Sequence, residues 1–202
     1  MEAKNDYQNV DQHLVKRILE GDRHAYPELI GNTQALVAQI VYRMIPHPPD
    51  RADIAQDIYL KAYKNLSGFR FQSKLSTWIG QISFNTCMHY RDKKRLVLVQ
   101  NGEEEQDEYH LEKLALSAND IWESPTAQQL DAKQLSQLLD EEINSLSPLQ
   151  QTILNLYHIQ ELSLQEICDI TAMNDSTIRS HLFRARKQLR QQLTNKYKRD
   201  EL

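Results

Sequence analysis

Cysteine is nearly absent from the chain: two in 202 residues, Cys87 and Cys168. Thiols so far apart build neither a zinc knuckle nor a disulfide framework, and both read as small buried apolar residues. Glycine and proline are also scarce, at 5 and 6. With Leu, Gln, Glu, Lys and Arg abundant, that scarcity favours an all-α protein. No window approaches the roughly 18 continuous apolar residues of a membrane span, so no membrane insertion is expected. The first residues, MEAKNDYQNV, lack the apolar core of a signal peptide, and a cytoplasmic protein is expected. No nucleophile–base pairing, metal-ligand cluster or phosphate loop is visible, and His13, His24, His47, His110 and His158 are scattered singly. An enzyme is therefore not expected, nor a cofactor.

One further absence is local. From Ser176 to Arg199 there is no acidic residue, although the whole chain carries a net charge of −4. Ile178, Leu182, Ala185, Leu189 and Leu193 recur there at helical spacing and form one apolar stripe. Ser176, Thr177, Ser180, Phe183, Arg184 and Lys187 lie opposite, with Arg179, Arg186 and Arg190 on the flanks. A basic, acid-free face with short polar residues near the helix start suits the DNA major groove. A solvated basic helix in a bundle is the plainer reading. What precedes the helix favours DNA. Ser163 and Glu166 form a capping box, Leu164, Ile167 and Cys168 point inward, and Ala172-Met173-Asn174 makes a turn. Asp175 or Ser176 is then placed to cap the second helix. The pair reads as a helix-turn-helix.

Upstream, Asp11 to Ile45 is helical, broken by Gly21-Asp22 and stopped by Pro46-His47-Pro48-Pro49. Asp50 to Leu66 is a helix with Ile54, Ile58, Ala62 and Leu66 inward. Asp53, Gln56, Asp57 and Leu60 fall on other faces, either as ordinary surface or as a docking face for a basic partner. A loop, Phe69 to Leu75, mixes aromatic and basic residues. The helix Ser76 to Tyr90 follows, with Asn85 and His89 on one face. Such a loop and face can stack and read unpaired bases. Phe69, Phe71 and Trp78 are equally consistent with core, and Trp78 more so. Val97 to Pro125 is rich in acidic residues and reads as a flexible linker. Thr126 to Asn144 resumes helical spacing. Ser147-Pro148-Leu149-Gln150 then caps a helix whose Leu149, Ile153 and Leu156 face inward.

Two of these stretches carry a family resemblance. The run from Asp50 to Arg95 resembles the second region of bacterial sigma factors, and Leu146 to Arg190 resembles their fourth. The two together, with a short linker, resemble the extracytoplasmic function group over about Leu14 to Leu193. The resemblance implies two small helical domains, 11–96 and 126–195, joined by an acidic linker, 97–125, that threads the polymerase channel. It implies that Asp53, Gln56, Asp57 and Leu60 dock on the clamp coiled coil of core RNA polymerase. It implies that Phe69, Arg70, Lys74, Asn85 and His89 capture the minus-ten element on the non-template strand. Thr177, Arg179, Ser180, Phe183, Arg184 and Lys187 would read the minus-thirty-five duplex. Three departures stand out: Phe71 where many relatives have a small residue, His89 where other residue types are commoner, and His181 where many have arginine. The resemblance also implies restraint by an anti-sigma protein and a monomer when free. The rival is a stand-alone, dimeric helix-turn-helix regulator with a palindromic site.

Overall fold

The computed structural model describes residues 2–100 and 139–200, with side chains for 8–95 and 139–195. Four helices come first: α1 (Glu2–Leu19), α2 (Ala25–Met44), α3 (Pro48–Asn65) and α4 (Leu75–Gln100). A single 3-10 turn, Leu66–Gly68, joins α3 to the loop before α4. After a helical stretch at 139–144 come α5 (Pro148–His158), α6 (Leu164–Thr171) and α7 (Asp175–Asp200). No strand occurs among the described residues. The acidic segment from 101 onward and residues 126–138 of the expected helix lie outside the described residues.

Local chemistry sets the boundaries. Gly21 holds a left-handed φ of 88°, which ends α1 at little cost. Asp22 steadies that turn by accepting from the His24 amide at 2.9 Å and from Arg17 Nε at 2.9 Å. α3 begins at Pro48, two residues before the expected Asp50, because proline fits the first helical turn. α4 starts where the Leu75 amide donates to Asp11 Oδ2 at 2.7 Å, a cap supplied by α1. The Ser163–Glu166 capping box forms as expected. The cap of α7 is a correction. Asn174, not Asp175 or Ser176, accepts from the Thr177 amide at 2.8 Å.

The apolar stripes meet in one core. Ile18, Leu29, Val37, Ile40, Met44, Ile58, Ile79 and Cys87 share it with Ile153, Leu156, Ile167, Ile170 and Ile178. The two helical groups expected as separate domains thus pack directly on each other. At Gly80 they approach tightly: a Cβ there would lie 3.0 Å from Ile170 Cδ1 and Cγ1. Ile170 is fully buried, a burial that contributes about 1.5–3 kcal/mol. Burial also pushes the Cys87 thiol up to about 12, so it behaves as an inert apolar side chain.

Candidate nucleic-acid interface

The candidate duplex-reading site is built from α6, a turn and α7. Ala172 takes the left-handed conformation (φ 56°, ψ 23°) that ends α6 and swings the chain into α7. Ile178, Leu182 and Ala185 are buried beneath α7. Its other face stays open. Arg179 and Lys187 are exposed, Thr177, Ser180 and Arg184 half-buried, and Phe183 is 41% exposed. A large exposed apolar ring among polar groups suits contact with a thymine methyl. Arg179 Nε meets Asp175 at 2.6 Å, which ties it to the helix start and away from the groove face. The Ser180 hydroxyl donates back to the Ser176 carbonyl at 2.8 Å.

His181 is only 5% exposed, so it packs inward beside Ile178 and Leu182 rather than facing DNA. On the other flank of the apolar stripe Arg186 Nη2 lies 3.0 Å from His158 Nε2, and its guanidinium sits over the Tyr157 ring. Burial, and then the Arg186 charge, lower the His158 pKa, keeping the imidazole neutral and able to accept from Arg186 Nε at 3.3 Å.

The second candidate site surrounds the start of α4. Phe69 is 8% exposed and stacks with Phe71 and Trp78 at centroid distances of 4.7 and 5.1 Å. Of the two readings the sequence left open for Phe69, the structure has the core one: the ring is largely buried under the loop. Phe71 takes a left-handed φ of 56°, which folds the loop tightly and leaves Arg70, Gln72 and Lys74 outward. Asn85 and His89 are both exposed on one face of α4. Burial raises the Asp11 pKa, against the Leu75 amide and the Lys74 charge, which both favour its carboxylate. At the far end of the face, Tyr90 donates to Asp50, which also meets His47 at 3.1 Å and Lys94 at 3.7 Å. That cluster ties α4 to the start of α3.

On α3, Asp53, Gln56, Asp57 and Leu60 are all exposed, Leu60 at 49%. Asp57 pairs with Lys61 at 2.7 Å. Tyr63, 55% exposed, extends this face and escaped the sequence reading. So did Lys74–Glu166, an ion pair of 2.8 Å between the loop and the capping glutamate of α6. No spacing rule connects residues so far apart in the chain. Among the described residues no helix is long and apolar enough to cross a membrane, and no group of His, Cys, Asp and Glu is placed to hold a metal.

A four-helix group followed by a helix-turn-helix whose open face carries basic and polar residues has the architecture of a DNA-binding transcription protein. Comparison with known proteins narrows it. Residues 29–96 match Sigma-70 region 2, and residues 136–189 match Sigma-70 region 4. The ECF RNA polymerase sigma-E factor of Escherichia coli K12 is 31% identical over 185 residues, covering 89% of this chain and 92% of the relative. The sigma-E factor of Haemophilus influenzae is 28% identical, covering 90% and 94%. The factor SigW of Bacillus subtilis is 27% identical, covering 89% and 94%. In fold, the chain is similar to CnrH in complex with the cytosolic domain of CnrY (TM-score 0.58, 18% identity, 92% and 97% covered). It is also similar to RpoE in complex with the anti-sigma factor NepR from Bartonella quintana (TM-score 0.59, 20% identity, 84% and 96% covered). The chain belongs to the extracytoplasmic function (ECF) family of RNA polymerase sigma factors. Its pairing of region 2 with region 4 removes the stand-alone dimeric regulator from consideration.

Proposed function

We propose that this sigma factor docks on the clamp coiled coil of core RNA polymerase through Asp53, Gln56, Asp57 and Leu60. It then directs the enzyme to promoters with two heads. Residues 126–195 form the domain that reads the minus-thirty-five duplex through Thr177, Ser180, Phe183, Arg184 and Lys187, with Arg179 toward phosphate. Residues 11–96 form the domain that holds the minus-ten non-template strand through Arg70, Lys74, Asn85 and His89, with Phe69 positioning the loop. Residues 97–125 link them. The chain works in the cytoplasm as a monomer and performs no covalent chemistry. Captured bases offset lost pairing and stacking, a few kcal/mol for each flipped base. Each good base contact adds about 1–3 kcal/mol of discrimination.

The observation that carries this reading is the exposure of all three faces on one chain of region 2–region 4 order. The net charge of −4 supports dependence on polymerase, since it limits binding to DNA alone. The fold similarity to sigma factors held in complexes, one with an anti-sigma factor, supports regulation by such a partner. Run-off transcription on a promoter pool, with core polymerase with and without this chain, tests the reading. A defined subset of fragments transcribed only with the chain is expected. No stimulation, with failure to co-elute with core polymerase, refutes it.

A further inference from the structure

Two arginines on one flank of α7 are held in different ways. Arg179 and Arg186 lie two helical turns apart and almost in line along the helix. Phe183 lies between them on the same side and is 41% exposed, so this flank opens onto the proposed groove face. Arg179 Nε meets the Asp175 carboxylate at 2.6 Å. That partner offsets its charge before any DNA arrives. Arg186 has a ring and an imidazole instead of an acid. Its Nε donates to His158 Nε2 at 3.3 Å, and its Nη2 lies 3.0 Å from the same nitrogen. Its guanidinium carbon stands 5.4 Å from the centre of the Tyr157 ring. The His158 ring in turn meets the Tyr157 ring edge-on at 5.0 Å. The last turn of α5 thus forms a cradle for one side chain of α7.

The consequence is electrostatic. A carboxylate fixes an arginine by cancelling it. Burial and the Arg186 charge keep His158 neutral, so the cradle fixes Arg186 and leaves its positive charge whole. A planar guanidinium has more donors than the two that face His158, and its fork matches phosphate oxygens. Because the side chain is ordered in advance, less rotamer freedom is lost when it binds.

We propose that Arg186 is a DNA phosphate contact on this flank, stronger than Arg179, and that His158 and Tyr157 are positioning residues that aim its guanidinium without neutralising it. The proposal rests on the reading of α7 as the helix that meets the minus-thirty-five duplex.

Polymerase reconstituted with the full-length chain, on a promoter fragment selected from the run-off pool, tests this through the salt dependence of binding. Each phosphate contact adds about 0.9 to the slope of log affinity against log salt. Between about 50 and 200 mM salt, wild type should lose about 3.5-fold more affinity than Arg186→Gln, one contact's share. The preferred minus-thirty-five sequence should not change, because phosphates carry no base identity. Arg179→Gln should alter the slope less, and a larger change there than in Arg186→Gln overturns the ranking. Normal wild-type binding with an unaltered slope in Arg186→Gln overturns the phosphate contact alone. No specific binding by the wild-type polymerase refutes the promoter reading, and this proposal with it.

Positioning is tested at His158. His158→Ala should weaken binding about two- to fivefold with the slope kept, since the charge stays and only its hold is lost. His158→Gln should restore binding, because an amide oxygen accepts from a guanidinium as the neutral imidazole does. Wild-type affinity in His158→Ala overturns the positioning role. So does a loss that glutamine fails to rescue and that follows a lowered melting temperature, the mark of a merely structural residue.

Discussion

Replacing Gly80 with alanine separates the stability of α4 from that of the seam between the two helical groups. Alanine is favoured over glycine inside a helix by about 1 kcal/mol, and that gain applies whether the seam is open or closed. The cost applies only when it is closed. The new Cβ would sit 3.0 Å from two carbons of Ile170 and 3.3 Å from Leu36 Cδ2, against an optimum of about 3.5–4.0 Å. Ile170 cannot simply step aside, being fully buried with Leu36 close by. Overpacking of this kind costs about 1–3 kcal/mol. The closed state should therefore lose that much relative to the open one, a shift of about 5- to 150-fold in their ratio. Hydrogen exchange on full-length protein reads the effect: amides of α6 should lose protection while those of α4 keep or gain it. X-ray scattering should show an enlarged radius of gyration. A variant that melts higher in a single transition, with α6 protection unchanged, would show that the seam accommodates a methyl group and is looser than the structure describes.

Three other expectations concern separate parts of the molecule. Asp11→Ala removes the cap of α4 and should cost about 1 kcal/mol in urea unfolding; no loss would mean the Leu75 amide finds another acceptor. By NMR, His158 should titrate below the ordinary histidine value of 6.5. Arg186→Gln should move the midpoint only part of the way back, because burial is the larger cause. Since the folded state prefers neutral His158, its contribution to stability is full above about pH 6.5 and declines as pH falls through the lowered value. A midpoint at or above 6.5 would contradict the contact. Leu60→Ala should change stability by less than about 0.5 kcal/mol yet abolish co-elution with core polymerase; a large drop in melting temperature would instead make Leu60 a packing residue.

Much of the fold was legible because helical periodicity is a local signal. Ile54, Ile58 and Ala62, or Ile178, Leu182 and Ala185, announce the buried side of their helices, and all six are buried. Ser163 and Glu166 announce a helix start by a spacing of three. Where the signal is not local, reading failed. α4 runs on to Gln100, past the expected end at Tyr90: the charged run from Arg91 to Arg95 that continues it has helical propensity but no apolar stripe to count. Its cap comes from Asp11, on another helix. Phe69 suited either a base contact or the core by residue type, and it is buried. Whether a side chain on the edge of a stripe faces in or out depends on the neighbouring helix, which periodicity within one helix does not describe.

Helix α5 carries the same lesson into function. Its sequence, PLQQTILNLYH, has one apolar stripe through Leu149, Ile153 and Leu156, the pattern of a helix buried on one side. In the structure every residue from Leu149 to Leu156 is buried, including Gln150, Gln151, Thr152 and Asn155. The stripe joins the apolar core shared with the N-terminal helices, and Asn155 on another face meets Gln39 of α2. A buried polar group lacking a hydrogen bond costs about 1–3 kcal/mol. Asn155 Oδ1 and Arg43 Nε both bear that cost in the closed form. Opening would return them to water at the expense of apolar contacts such as Ile170 on Gly80. Fully buried Ile153, Leu156, Ile167 and Ile170 lie in the core that the two helical groups share, so apolar contact holds the groups together despite that polar cost.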